Sequence, residues 1–226
     1  MAYAWERTSV SLDQVALYLA GCTVFSIGAK CFIDSTLGVD PLDVLCIGMT
    51  KHLHITIGIA AGIVAIAFLT VWSTWNRKWP PIMPFVTTFL VGNLIDLWNW
   101  LRIDAVVTQR LPPYPLLVIG LLLCSYASSF IIMSGIGIRI MDLVAITIVE
   151  RWDWSFFKGK MLLELLMFST GFALGGPVGV GTLAFLGLVG TLIQPFMVAN
   201  ARFLRIPNRG IPKYSRQDMT VRASAS

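Results

Sequence analysis

Six long apolar stretches constrain this chain more than anything else in it. They lie at roughly 15–34, 56–75, 82–101, 116–134, 160–176 and 178–198, some with one ionisable residue inside. A helix needs about 20 mostly apolar residues to cross a bilayer. A membrane strand uses only about 9–11 and alternates polar with apolar, a pattern these stretches lack. Charged residues make up 13% of the 226 positions and hydrophobic ones 56%. A soluble domain carries about a quarter charged residues and could not hide that much apolar surface. Soluble globular, disordered and disulfide-scaffold folds are therefore excluded. The expected fold is an all-α membrane protein with six transmembrane helices. The first stretch reads as a permanent helix and not a signal peptide: only Arg7 precedes it, Lys30 lies within it, and no small-residue cleavage site follows.

Basic residues suggest the orientation. With six crossings and both ends inside, Arg7, Arg77, Lys78, Arg139, Arg151, Lys158, Lys160, Arg202, Arg205, Arg209, Lys213, Arg216 and Arg222 share one side. Lys51, Arg102 and Arg110 face the other. That bias predicts that the first of these faces is cytoplasmic. It also accounts for the net charge of +5 without a nucleic-acid partner, since the basic tail fits anionic lipid. The four cysteines form no CxxC pair and read as buried thiols. No cofactor is expected and no metal site.

The chain repeats itself. Shifted by 99 residues, Gly21 meets Gly120, Ser26 meets Ser125, Ser35 meets Ser134, Gly38 meets Gly137 and Asp43 meets Asp142. With one residue deleted, LVGNLIDLW at 90–98 meets LVGTLIQPF at 188–196. Three crossings per copy is an odd number, so the copies are expected to be inverted in the membrane. The predicted organisation is a cytoplasmic N-terminus (1–14), membrane repeat 1 (15–101), an extracytoplasmic linker (102–115), membrane repeat 2 (116–198) and a basic cytoplasmic tail (199–226). Each repeat also holds a short helical segment, PLDVLCIGMTKHL at 41–53 and IMDLVAITIVERW at 140–152. Thirteen residues reach only about 20 Å, too short to cross. Two placements stay open: a half-helix dipping into the membrane, or a helix on its surface.

The runs GVDPLDVLCIGMTKHLHITIG at 38–58 and FSTGFALGGPVGVGTLAFLGLVGTLIQPF at 168–196, placed in two repeats, resemble the YczE/YyaS/YitT group of bacterial integral membrane proteins, nearest its YczE branch. The resemblance covers about 15–198. It implies a bacterial inner-membrane protein of unestablished activity. The chain departs from the pattern at WNRKWPPIMPFVTT (75–88), where a second glycine-rich turn would stand, and at Phe157, where members often have glycine.

Ionisable residues at membrane depth are costly and so mark candidate function. These are Lys30, Asp34, Asp43, Asp96, Asp142 and Glu164, with Gln194 as the repeat partner of Asp96. Together they are the candidate substrate or proton pathway. Each has a bland alternative. Asp40 and Pro41 make a helix start whose first turn suits Asp43. Arg139 stands three residues before Asp142, Lys30 four before Asp34, and Lys160 four before Glu164, all pairable on one helix. Asp43 and Asp142 carry the most weight, because the acid recurs in both copies while the Asp-Pro cap does not. Gly175, Gly176, Pro177, Gly179 and Gly181 are expected to form a tight turn, or else to expose backbone to a ligand. His52 and His54 stand on different helix faces without ligand partners.

The expected function is a small-molecule transporter or exporter with its site between the two repeats. The alternative is a non-transporting accessory or regulatory membrane protein acting through its tail. A channel is a further reading, and no motif of an intramembrane enzyme appears. Partners are the bilayer and a small molecule, and a homo-oligomer stays open.

Overall fold

The computed structural model describes residues 10–102, 111–152, 154 and 156–209, without the side chains of 149, 150, 156, 157 and 194. Among the described residues it is all helical: α1 Leu12–Ser35, α2 Pro41–Leu53, α3 Ile57–Asn76, α4 Met83–Trp100, α5 Pro113–Ser134, α6 Ile140–Trp152, α7 Phe156–Ala173 and α8 Val180–Phe203. Four of these, α1, α3, α5 and α8, are long and apolar enough to cross a membrane. The sequence predicts six such helices, and α4 and α7 stand where the other two are expected. At 18 residues each they have the length, but α4 carries Asn93, Asp96 and Asn99, and α7 carries Lys158, Lys160 and Glu164.

Local chemistry fixes the ends. Pro41 opens α2, and Asp40 caps it by accepting from Asp43 N–H at 2.8 Å. Thr56 accepts from Ile59 N–H at the start of α3. Helix α7 ends in a reciprocal pair of bonds, Gly176 N–H to Gly171 C=O at 2.8 Å and Gly175 N–H to Phe172 C=O at 2.9 Å. That closure needs a left-handed residue, which Gly175 supplies at φ 76°.

Helices α1 and α5 cross at the centre with almost no side chain between them. A Cβ on Gly21 would lie 3.0 Å from Ile131 N, one on Gly28 3.0 Å from Cys124 N, and one on Gly120 2.9 Å from Gly28 O. These contacts run in opposite chain directions, so the pair is antiparallel. Around it the packing divides into two apolar cores. One joins α1, α4, α5 and α8 through Phe25, Phe32, Ile95, Ile131, Phe185 and Val189. The other joins α2, α3, α6 and α7 through Cys46, Val64, Trp72, Leu143, Val144 and Met167.

Each core draws on both halves of the chain. The helices touch in matched sets: α2 with α7 and α6 with α3, α1 with α4 and α5 with α8, α2 with α3 and α6 with α7. One match is unequal. Helices α3 and α4 meet closely, a Cβ on Gly92 falling 2.8 Å from Gly58 Cα. Gly190 of α8, which the repeat aligns with Gly92, meets only the Lys160 stem, at 3.8 Å, and Gly187 meets nothing within 4 Å.

Two of the basic residues counted toward the inner face are not loop charges. Arg139 is 5% exposed and Lys160 2%. Both point into the protein, so they contribute nothing to orientation by surface charge. The Trp98 indole N–H donates to Ser26 Oγ of α1 at 2.9 Å.

Candidate functional site

The two short helices begin deep in the bundle. After α5 ends beside Gln14, whose amide donates to Ser134 C=O, the chain turns back along α1. Gly137 packs on Tyr18, Ile140 N–H donates to Thr88 Oγ1 of α4 at 3.3 Å, and the Arg139 guanidinium lies 4.5 Å from the Phe25 ring, at mid-length of α1. The other half repeats the device. Val39 N–H donates to Thr182 Oγ1 of α8 at 3.2 Å, and Gly181 N–H to Leu37 C=O at 2.8 Å.

The far ends of the short helices return to opposite rims. Lys51 Nζ donates to Gly175 C=O at 2.5 Å and His52 meets Leu174 C=O at 3.2 Å, at the end of α7. Arg151 donates to Trp75 C=O at 3.3 Å and lies over its ring at 5.4 Å, at the end of α3.

Where the N-terminal ends of α2 and α6 converge, six charged side chains gather. Asp142 receives Lys160 Nζ at 2.7 Å on one oxygen and Arg139 Nε at 3.2 Å on the other. Lys160 also reaches Glu164 at 3.4 Å. Arg139 spans to Asp40 at 4.0 Å, linking the start of α6 to the start of α2. Asp43 completes the group, and its Oδ2 is buried with no hydrogen-bond partner. All six side chains are buried. The cluster sits at the seam of the two apolar cores, with Phe25 of one core against Arg139. Four acids face two bases, so it is suited to positive charge.

The remaining candidates are placed elsewhere. Lys30 and Asp34 pair with each other on α1, nearly out of solvent. Asp96 accepts from Ile57 N–H at 3.2 Å and Gly58 N–H at 2.8 Å, so its carboxylate caps α3 from α4. The Gln194 side chain lies outside the described residues. In the glycine turn, Gly176 packs on Val44 and Gly179 on Leu37, both backbone to backbone. The carbonyls of Leu174 and Gly175 are taken by His52 and Lys51.

Sequence reading placed Asp43, Asp142 and Glu164 among the candidates but treated Asp40, Arg139 and Lys160 as caps, local partners or surface charge. A signal for one of these was present. Asp40 and Arg139 are 99 residues apart, the same shift that aligns the two halves. If a two-fold axis relates the halves, an acid and a base at equivalent positions can meet only near it.

A family model described as a family of unknown function, DUF6198, matches residues 12–198. Three curated relatives align over most of the chain. The uncharacterized protein YyaS of Bacillus subtilis is 26% identical over 195 residues, covering 85% of this chain and 97% of that protein. The uncharacterized membrane protein YczE of the same organism is 25% identical over 178 residues, covering 78% and 82%. An uncharacterized protein of Haemophilus influenzae is 25% identical over 214 residues, covering 90% and 94%. No solved structure matches.

Proposed function

This chain belongs to DUF6198, a family of unknown function within the YczE/YyaS group, and we propose that it works as a small-molecule transporter or exporter of the bacterial inner membrane. The observation that carries the reading is the buried six-residue charge cluster at the seam of two apolar cores. Ionisable groups inside a membrane protein are costly and concentrate on transport pathways. Non-spanning helices that start at mid-depth are how transporters bring helix ends and backbone to a central site.

The arrangement we infer is six crossings, by α1, α3, α4, α5, α7 and α8, in two inverted repeats, with α2 and α6 as re-entrant half-helices. Several features support it: the matched helix contacts, the antiparallel central pair, and the opposite rims reached by Lys51 and Arg151. Repeat-equivalent residues also meet, Asp40 with Arg139 and Phe25 C=O with Cys124 Sγ at 3.8 Å. Both termini are then cytoplasmic. Motion of the α2–α3–α6–α7 unit against α1–α4–α5–α8 would expose the cluster alternately. The protein acts without catalysing a covalent reaction, and its partners are lipid and a small molecule.

The test compares small-molecule contents of cells and medium between a deletion strain and the same strain complemented with wild type, Asp43→Asn or Asp142→Asn. Wild type is expected to shift one or more solutes across the membrane. Each variant, present in the membrane at wild-type amount, is expected to lose that shift. If complementation moves no solute, the transporter reading is wrong. Two fully active variants would remove the cluster from the mechanism.

A further inference from the structure

We propose that the charge cluster holds one exchangeable proton, carried by the Asp43 carboxyl, and that this proton is the coupling ion of transport. The coupling clause rests on the transporter reading; the proton site does not. Neither base is bonded to Asp43. Arg139 is engaged with Asp142 and Asp40, and Lys160 with Asp142 and Glu164.

Helix α2 and helix α6 each bring an N-terminal end to the cluster, worth roughly half a positive charge apiece. Arg139, Lys160 and the two helix ends together offset three ionised carboxylates, those of Asp40, Asp142 and Glu164. A fourth would leave one negative charge with nothing to balance it. Asp43 is 6% exposed and its Oδ2 meets no donor. An unpaired carboxylate in such a place is costly, and taking up a proton removes that cost.

The ionisable groups that act on or respond to Asp43 come from three elements. They are Asp40 and Cys46 of α2, Cys124 of α5, and Arg139 ahead of α6. Only one of them is a base. A proton also fits the space better than a metal ion does. It needs one oxygen, whereas among the described residues no three His, Cys, Asp or Glu side chains converge as metal ligands.

Release follows from the same contacts. The Asp43 O–H bond breaks, the proton passes to water on whichever side is open, and the carboxylate left behind needs a cation. Arg139, already stretched to 4.0 Å from Asp40, is the group placed to supply it. Asp40 and Asp43 both belong to the start of α2, so its move would keep α6 tied to α2 and shift the anchor by about one helical turn. Proton loss is thereby linked to a change in register between the starts of the two short helices.

The experiment uses the full-length protein in nanodiscs and infrared difference spectra across mildly acidic to alkaline pH. At neutral pH, wild type is expected to show a protonated-carboxyl C=O band that persists in Asp96→Asn and vanishes in Asp43→Asn. A wild type without the band, or a band that survives Asp43→Asn, overturns the proton site. Asparagine has the shape of the neutral acid, so this variant should fold. Should it not, the wild type alone decides by thermal melting. Its stability must fall as pH rises, because the folded protein keeps a proton that the unfolded chain gives up; a flat or rising profile overturns the proposal. A protonophore is then added to the complemented strain. Loss of the solute shift supports coupling. An intact shift overturns coupling alone, and the absence of any shift to begin with overturns the transporter reading while the infrared result stands.

Discussion

Removing Lys160 should be the most damaging single change in the charge cluster. Its ammonium lies 2.7 Å from Asp142 and 3.4 Å from Glu164, with the lysine side chain 3% exposed. Lys160→Met keeps the stem that packs over Gly190 but deletes the charge. Asp142 then leans on Arg139 alone, and Glu164 loses its lysine. Breaking a buried pair by removing one partner costs about 3–5 kcal/mol, because a charge is stranded. For a chain of this size each kcal/mol shifts the melting point by about 2–4 °C, so a drop on the order of 10 °C is expected. The assay is thermal unfolding of the purified protein followed by tryptophan fluorescence. A second substitution carries the discriminating power. Asp142→Asn added to Lys160→Met removes the stranded acid and should restore at least half of the loss, a coupling of about 1–3 kcal/mol. If Lys160→Met melts within about 2 °C of wild type, or the double variant is less stable than Lys160→Met, the cluster is not held together by its charges and the reasoning fails.

Four further outcomes are expected. Gly92→Leu forces side-chain atoms into the α3–α4 contact and should destabilise by about 1–3 kcal/mol. Gly187→Ala, with open space around it, should be neutral or stabilising by up to about 1 kcal/mol in the same melt. Asp96→Ala strips two backbone N–H groups of α3 of their acceptor and should cost about 1–2 kcal/mol in chemical unfolding, which Asp96→Asn partly recovers. In a background lacking native cysteines, Lys51→Cys and Arg151→Cys should react with an impermeant thiol reagent from opposite sides of the membrane; reaction from one side would refute the inverted arrangement.

The helices themselves were readable in the sequence. The short segments at 41–53 and 140–152 match α2 and α6 to the residue, because each is bracketed by breaks such as Asp40-Pro41 and by charged ends. The Arg139–Asp142 and Lys160–Glu164 pairs were also legible, since helical spacing alone brings them together. What spacing cannot show is which pairs join. Lys160 reaches Asp142 from another helix, and only the packing of α6 on α7 decides it. For the same reason the sequence counted Arg139 and Lys160 as surface charge, when each is turned inward. Asp96 looked like a pathway residue by its depth. Its capping of α3 became visible only with the close approach of Gly58 and Gly92, which brings α4 within reach of those two N–H groups.

The contact between Asp40 and Arg139 has a consequence for how such a protein can be assembled. Two identical copies related by a two-fold axis would bring the same residue to both sides of it, acid against acid or base against base. The opposite-charge tie between the short helices therefore requires the halves to differ at this one place. A pair of separate, identical half-length chains inserted in opposite orientations could reproduce the helix packing, yet never this bond. Joined in one polypeptide, position 40 and position 139 can be chosen independently, so an inverted pair of repeats could hold an acid on one side of its axis and a base on the other.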